Sequence, residues 1–338
     1  MSGGWRITLV AAMLAAIAAA ARVSPMAAAQ GTTAVPVWID TDPAVGVADR
    51  DVDDGFALLQ AFHSPELAVR GVSVVFGNAP LAQAWPIGLR IVGGSGPRGL
   101  RAYRGAAKAE DLGVDNAATR ALAAALKREP LVIFALGPAT NVATVVKSQP
   151  ALRSRIVRIV AVAGRRPGQR FTTGTTNPRG HRDFNFEQDP EAFRVLLGSG
   201  VPLTLAPFEI SSKVWLKAPD LDAIAHDTAK SEWIVAPARR WLALWDRTFG
   251  VDGFNPFDTL AIARITSPSQ LTCEALPARI DVLDDDVTEA RVQGTTVARK
   301  PYLLVSREFG GPAPMVDYCY DVAASFKPDL IRRITGRR

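Results

Sequence analysis

The chain has 338 residues, 48% of them hydrophobic and 21% charged, with a formal charge of +6. This is ordinary globular material with enough apolar residues for a sizeable core, which excludes a disordered chain. The mild basic excess forms no tract, and the Arg-rich C-terminus reads as a solvated helix end, so no nucleic-acid partner is expected.

In chain order, residues 1–30 come first. A short segment with one Arg, the apolar run Ile7 to Ala21 and small residues around Ala27–Ala29 read as a cleaved signal peptide. The alternative is an uncleaved anchor, but the Ala-rich run is barely long enough to span a bilayer. Residues 31–338 are then expected to be periplasmic or secreted, free of the membrane after cleavage.

Residues 35–39 form a β-branched apolar run and are expected as a strand; 53–62 carries apolar residues at helical spacing. A second strand over 67–78 ends in Gly-Asn, and Ala82–Val92 reads as a helix interrupted by Pro86. A helix over 118–129 precedes a buried strand and turn over 131–138, and Ala139–Ser148 opens a further helix. Another strand is expected over 155–164, a helix over 189–200, a strand over 201–207 and a helix beginning near Asp258. Residues 276–306 alternate like antiparallel strands, and a last helix is expected over 320–335. Trp233, Trp241 and Trp245 lie at helical spacing and read as a core-facing stripe that could also wall a pocket. Alternating strands and helices imply an α/β fold: a mostly parallel central sheet flanked by helices, in a single domain. Cys273 and Cys319 are open between one disulfide and two buried thiols.

In such a sheet, ligands bind beyond the carboxyl ends of the strands. Asp40 and Asp42 follow the first strand, Asn78 the second, and Thr140 and Asn141 the strand at 131–138. A long polar loop over 165–188 follows the next strand, so polar residues converge on one rim. Asp49, Asp51, Asp53 and Asp54 crowd in after Asp42, and such packed carboxylates repel unless a cation neutralises them. Oxygen ligands at a strand end suit Ca²⁺ or Mg²⁺. Asp53 and Asp54 also begin a helix, where negative charge is favoured, and Asp49 and Asp51 read more simply as loop charge.

"IDTDPA" with "DVDDGFALL" (Ile39–Ala44, Asp51–Leu59) resembles the metal-binding fingerprint of the inosine/uridine-preferring nucleoside hydrolases. "FALGPATNVA", "TTNPRGHRDFNFEQDPEA" and "NPFDTLAIA" resemble three further segments of that family, in the family's order. The resemblance implies a Rossmann-like nucleoside hydrolase core and Ca²⁺-dependent cleavage of ribonucleosides to ribose and free base. It implies Asp42 as metal ligand and catalytic base beside the attacking water, with Asp54, Asp258 and the Thr140 carbonyl as further ligands. Asp53, Asn78, Asn177, Asp183 and Asn185 would hold the ribose, and Asp40 would orient its neighbours. The family also implies a homo-oligomer, dimer or tetramer. A metal-activated water attacking an oxocarbenium-like sugar is consistent chemistry for those residue types.

The sequence departs from the family pattern in three places. Nine residues, Ala44 to Val52, stand where the fingerprint has two. Phe257 occupies the position of the His that protonates the leaving base; an aromatic there suits stacking on a purine, so purine nucleosides are favoured as substrates. Asp183 replaces a Glu, and His181 nearby is a candidate substitute acid. Two rivals remain at this point: a non-catalytic periplasmic binder of nucleosides or sugars on the same scaffold, and a phosphatase using the Asp40-x-Asp42 pair.

Overall fold

Val35–Thr41 is almost wholly apolar, and from Val37 onward every side chain is buried. A strand buried on both faces belongs inside a parallel sheet. In the computed structural model, which describes Met1 and residues 34–174, 180–226, 232–287 and 298–336, it does so as β1. Thr33–Arg338 forms one compact unit.

β1 pairs in parallel with β2 (Leu67–Val74), which carries β3 (Ala102–Arg104) at its outer edge. On its other side β1 pairs with β4 (Leu131–Ala135), and β4 with β5 (Ile156–Ala161), again in parallel. β6 (Phe171–Thr172) and β7 (Gly180–His181) form a separate two-stranded ribbon. β8 (Leu203–Leu205) lies beside β5. β9 (Leu271–Asp284), β10 (Arg299–Val305) and β11 (Met315–Val322) add an antiparallel end, giving the order β10-β9-β11-β8-β5-β4-β1-β2-β3.

The helices in chain order are α1 (Asp53–Phe62), α2 (Leu81–Ser95), α3 (Ala117–Arg128), α4 (Thr140–Ser148), α5 (Phe184–Gln188) and α6 (Pro190–Leu197). They continue as α7 (Phe208–Ser211), α8 (Ala218–Ala225), α9 (Glu232–Phe249), α10 (Phe257–Thr266) and α11 (Phe326–Thr335). Side chains alternate across each central strand. Val37 and Ile39 of β1 and Val132 and Phe134 of β4 join one core with α1, α10 and α11. Trp38, Leu131, Ile133 and Ala135 face the opposite core with α3, α4 and α6. Helices therefore cover both faces, as expected for the mostly parallel sheet. No helix among the described residues is long and apolar enough to cross a membrane.

One element is corrected. The last helix begins at Phe326, not near 320, because Val316, Tyr318 and Cys319 are buried in β11 instead. Cys319 faces Cys273 across the antiparallel pair with β9, and the two are joined as a disulfide.

Candidate active site

The parallel strands β1, β2, β4 and β5 end on one rim, and the acids gather there. Asp42 follows β1 and is fully buried. Its Oδ2 accepts from the Asn78 amide at 2.7 Å, its own amide donates to Asp54 Oδ1 at 3.0 Å, and Oδ1 is buried without a partner. Two glycines make room for it. A Cβ at Gly77 would fall 1.9 Å from Asp42 Oδ2, and one at Gly137 would fall 2.7 Å from Oδ1. Gly77 also has φ +155, a backbone region that L side chains rarely adopt. The strand-end turns after β2 and β4 thus close directly on the carboxylate.

Asp40, also fully buried, accepts from Ser73 Oγ and from Asn141 Nδ2 at 2.9 Å through Oδ1; its Oδ2 is left unpaired. Burial raises its pKa to about 7. Asn141, from the Gly-x-x-Thr-Asn segment, accepts from the Ala106 amide at 2.8 Å and so ties β1 to the loop after β3. Asp40 is thereby bonded to β2 and to α4.

α1 begins with Asp53 and Asp54. Asp54 accepts from the Thr41 hydroxyl and, at 3.2 Å, from Asn78 Nδ2. Asp53 Oδ2 accepts from the Asp258 amide at 3.3 Å, where α10 enters. One carboxylate oxygen from each of Asp53, Asp54 and Asp258 lies within 4.8 Å of the others. Burial, reinforced by the Asp53 charge, pushes Asp258 well above the usual carboxylate range. Burial and the Asp51 charge do the same to Asp53, and burial and the Asp54 charge to Asp42. Unpaired buried carboxylate oxygens beside a mutually repelling acid cluster form a donor set that a hard divalent cation fits.

The cluster opens into a cavity of about 290 Å³. Asp53, Asn78, Asp183, Asn185 and Asp258 line its polar side. Asp183 is held by the Gly164 amide at 2.8 Å, and burial raises its pKa to about 7. Asn185 donates to the Leu136 carbonyl at 2.6 Å and the Val162 carbonyl at 3.2 Å. Asn177 lies outside the described residues.

The other side is aromatic. Phe208 stacks on Phe171 at 4.7 Å between centroids and on Phe257 at 6.0 Å. Trp245 lies 6.2 Å from Phe257 and 5.4 Å from Phe249, and Trp241 continues the wall along α9. Phe257 is thus a cavity residue. The tryptophan stripe is shared between core and cavity: Trp245 is 4% exposed, yet both it and Trp241 line the space. His181 stands among these rings, edge-on to Phe249 at 5.0 Å, with burial lowering its pKa.

Of the candidate ligands, Asp42, Asp54 and Thr140 do not line the cavity; Asp54 belongs to the acid cluster, and Asp42 bonds to it through its amide. Thr140 starts α4, where its hydroxyl donates to Asp189 at 2.5 Å and its carbonyl accepts the Thr144 hydroxyl at 2.7 Å. Leu136, from the turn just before it, does line the cavity. Leu136, whose carbonyl accepts from Asn185, carries no residue-type signal in the sequence. The extra loop 44–52 is also better integrated than loop charge implies. Val45 and Val52 are buried, Asp51 Oδ1 accepts from the Val52 and Asp53 amides at 2.7 and 3.2 Å, and Asp49 and Arg50 border the cavity mouth.

The family described as inosine-uridine preferring nucleoside hydrolase matches residues 37–325. The chain is 27% identical to uridine nucleosidase 1 of Arabidopsis thaliana, covering 67% of this chain and 73% of that one. It is 28% identical to the pyrimidine-specific ribonucleoside hydrolase RihA of Citrobacter koseri, over 71% and 81% of the two chains. In fold it is similar to a purine-preferring ribonucleoside hydrolase from Gardnerella vaginalis, with TM-score 0.70 and 20% identity over 89% and 98% of the chains. An acid-lined strand rim opening into a nucleoside-sized cavity, and a family match across nearly the whole folded unit, lead to one conclusion: the chain belongs to the inosine-uridine preferring nucleoside hydrolase family and is a hydrolase of N-glycosidic bonds.

Proposed function

We propose that this is an exported, Ca²⁺-dependent ribonucleoside hydrolase with a preference for purines. The observation that carries the reading is the two-sided cavity, with Asp53, Asn78, Asp183 and Asn185 at one end and the rings of Phe208, Phe257, Trp241 and Trp245 at the other. A ribose needs the first surface and a flat base the second. Asp42, Asp54 and Asp258, with Asp53 beside them, would hold the cation, which supplies a more acidic water and a grip on vicinal hydroxyls. Asp42, whose buried Oδ1 has no hydrogen-bond partner, would take the water's proton. Asp53 and Asp183 accept from the sugar hydroxyls, fixing the ring so that binding strengthens as the anomeric carbon gains positive charge. The aromatic wall excludes water from the base. Export is supported by the Cys273–Cys319 bridge, which suits an oxidising compartment.

The test is a reducing-sugar assay on inosine, guanosine, adenosine, uridine and cytidine, with and without a chelator. Chelator-sensitive release of ribose, fastest from the purines and restored by Ca²⁺, is expected. Faster turnover of uridine would overturn the purine assignment, and full activity in chelator would overturn the cation.

A further inference from the structure

An N-glycosidic bond breaks slowly unless the departing base is neutralised, and position 257, where the family pattern places a His, holds Phe in this chain. The cavity therefore needs a proton donor from another element. The polar groups that line it are restrictive. Its carboxylates belong to the sugar end or the mouth. Arg50 and Arg182 are guanidinium groups, which do not release a proton near neutrality. Arg182 is further occupied by Glu187 at 2.7 Å. His181 remains, the one imidazole among the described residues lining the cavity.

Its placement fits the task. β7 pairs His181 with Phe171, whose ring stacks on Phe208. The His181 ring lies 5.9 Å from Phe208, and Phe208 in turn stacks on Phe257. The imidazole is thus inside the aromatic wall that would receive the base, two residues from Asp183 on the sugar side. Its Nε2 has no hydrogen-bond partner and is screened from water. Buried polar atoms are nearly always paired, and an unpaired one in a residue that lines a cavity calls for an explanation, a catalytic role among them.

We propose that His181 is a catalytic residue, the general acid that protonates the leaving base, supplied from β7 rather than from the start of α10. This rests on the nucleoside hydrolase reading above. As the C1′–N bond breaks, its electron pair passes to the base nitrogen, and the His181 imidazolium gives its proton to a ring nitrogen of the base. The water oxygen bonds to C1′ and its proton goes to Asp42. Asp42 then releases that proton to solvent and the imidazole takes one up, so each turnover consumes one water and no net proton.

The experiment compares wild type, His181→Gln and His181→Phe on two substrates: the nucleoside the wild type cleaves fastest, and p-nitrophenyl β-D-ribofuranoside, whose phenolate departs without a proton. His181→Phe keeps an aromatic ring against Phe208 and Phe249, and activity on the nitrophenyl riboside reports a folded site. Both variants are expected to lose roughly 10²–10⁴-fold in kcat on the nucleoside, and less than about tenfold on the activated riboside. Equal losses on both substrates would make His181 a packing residue and overturn the assignment, as would unchanged nucleoside turnover. A wild type that cleaves only the nitrophenyl riboside has no working acid and also overturns it. A wild type that cleaves neither substrate overturns the hydrolase reading itself.

Discussion

The two ends of the cavity are built in different ways. The acid end is assembled at strand and helix termini: Asp40 and Asp42 at the end of β1, Asn78 after β2, and Asp54 as the second residue of α1, which follows the 44–52 loop. Its polar atoms are cross-bonded through Ser73, Asn141 and Thr41. The aromatic end collects side chains from β6, β7, α7, α9 and α10, and is held by ring contacts. Directional bonds to a rigid sheet fix positions closely, whereas ring contacts tolerate changes of size and shape. The first end should therefore be intolerant of substitution, and the second tunable.

The largest effect is expected from Asp54→Ala. It removes a carboxylate that joins β1, Asn78 and the acid cluster, and kcat/KM should fall roughly 10³-fold or more on every nucleoside alike. A loss confined to one base would break the division between the ends. Gly77→Ala comes next. It adds a Cβ where Asp42 Oδ2 now lies and forces an unfavourable φ, so kcat should drop roughly 10²-fold with little change in KM. Steady-state kinetics checks both.

At the aromatic end, Phe257→Ala should weaken purine binding by about 5–30-fold in KM, following the value of a lost stacking contact, while uridine changes less. Equal effects on both bases would place Phe257 outside base recognition. The smallest effect concerns pH. Burial raises Asp183 to about 7 from an ordinary 3.8, so the folded chain keeps a proton that the unfolded chain has lost. The stability contributed by that protonated group is complete below about pH 4 and disappears as pH rises through 7, with a slope of at most about 1.4 kcal/mol per pH unit. Asp183→Asn should flatten the denaturant-midpoint profile of the substrate-free protein over that window, and an unaltered profile would contradict the raised pKa.

Much of the acid end was legible in the sequence because carboxylates at the end of a buried strand have few structural uses. Asp40 and Asp42 stand out by residue type at the end of an apolar strand, whereas the roles of Asp54 and Asp258 come from the family resemblance. The Thr140 carbonyl accepts from the Thr144 hydroxyl within α4, a detail that a motif does not specify. The end of β11 is hard to separate from the last helix by pattern, because its alternation is short and adjoins an amphipathic helix. The bridge between Cys273 and Cys319 depended on a cross-strand register that local pattern does not encode.

By itself, the sequence determined the alternating α/β order, the buried β1 and the acids set at its tip, because hydrophobic period and strand-end chemistry are local properties. Tertiary structure decided which distant segments share the cavity. It brought the 44–52 loop to the mouth, closed Gly77 and Gly137 on Asp42, and set His181 among Phe208 and Phe249. Those contacts join residues far apart along the chain, and only the packing of helices onto both faces of one sheet selects them.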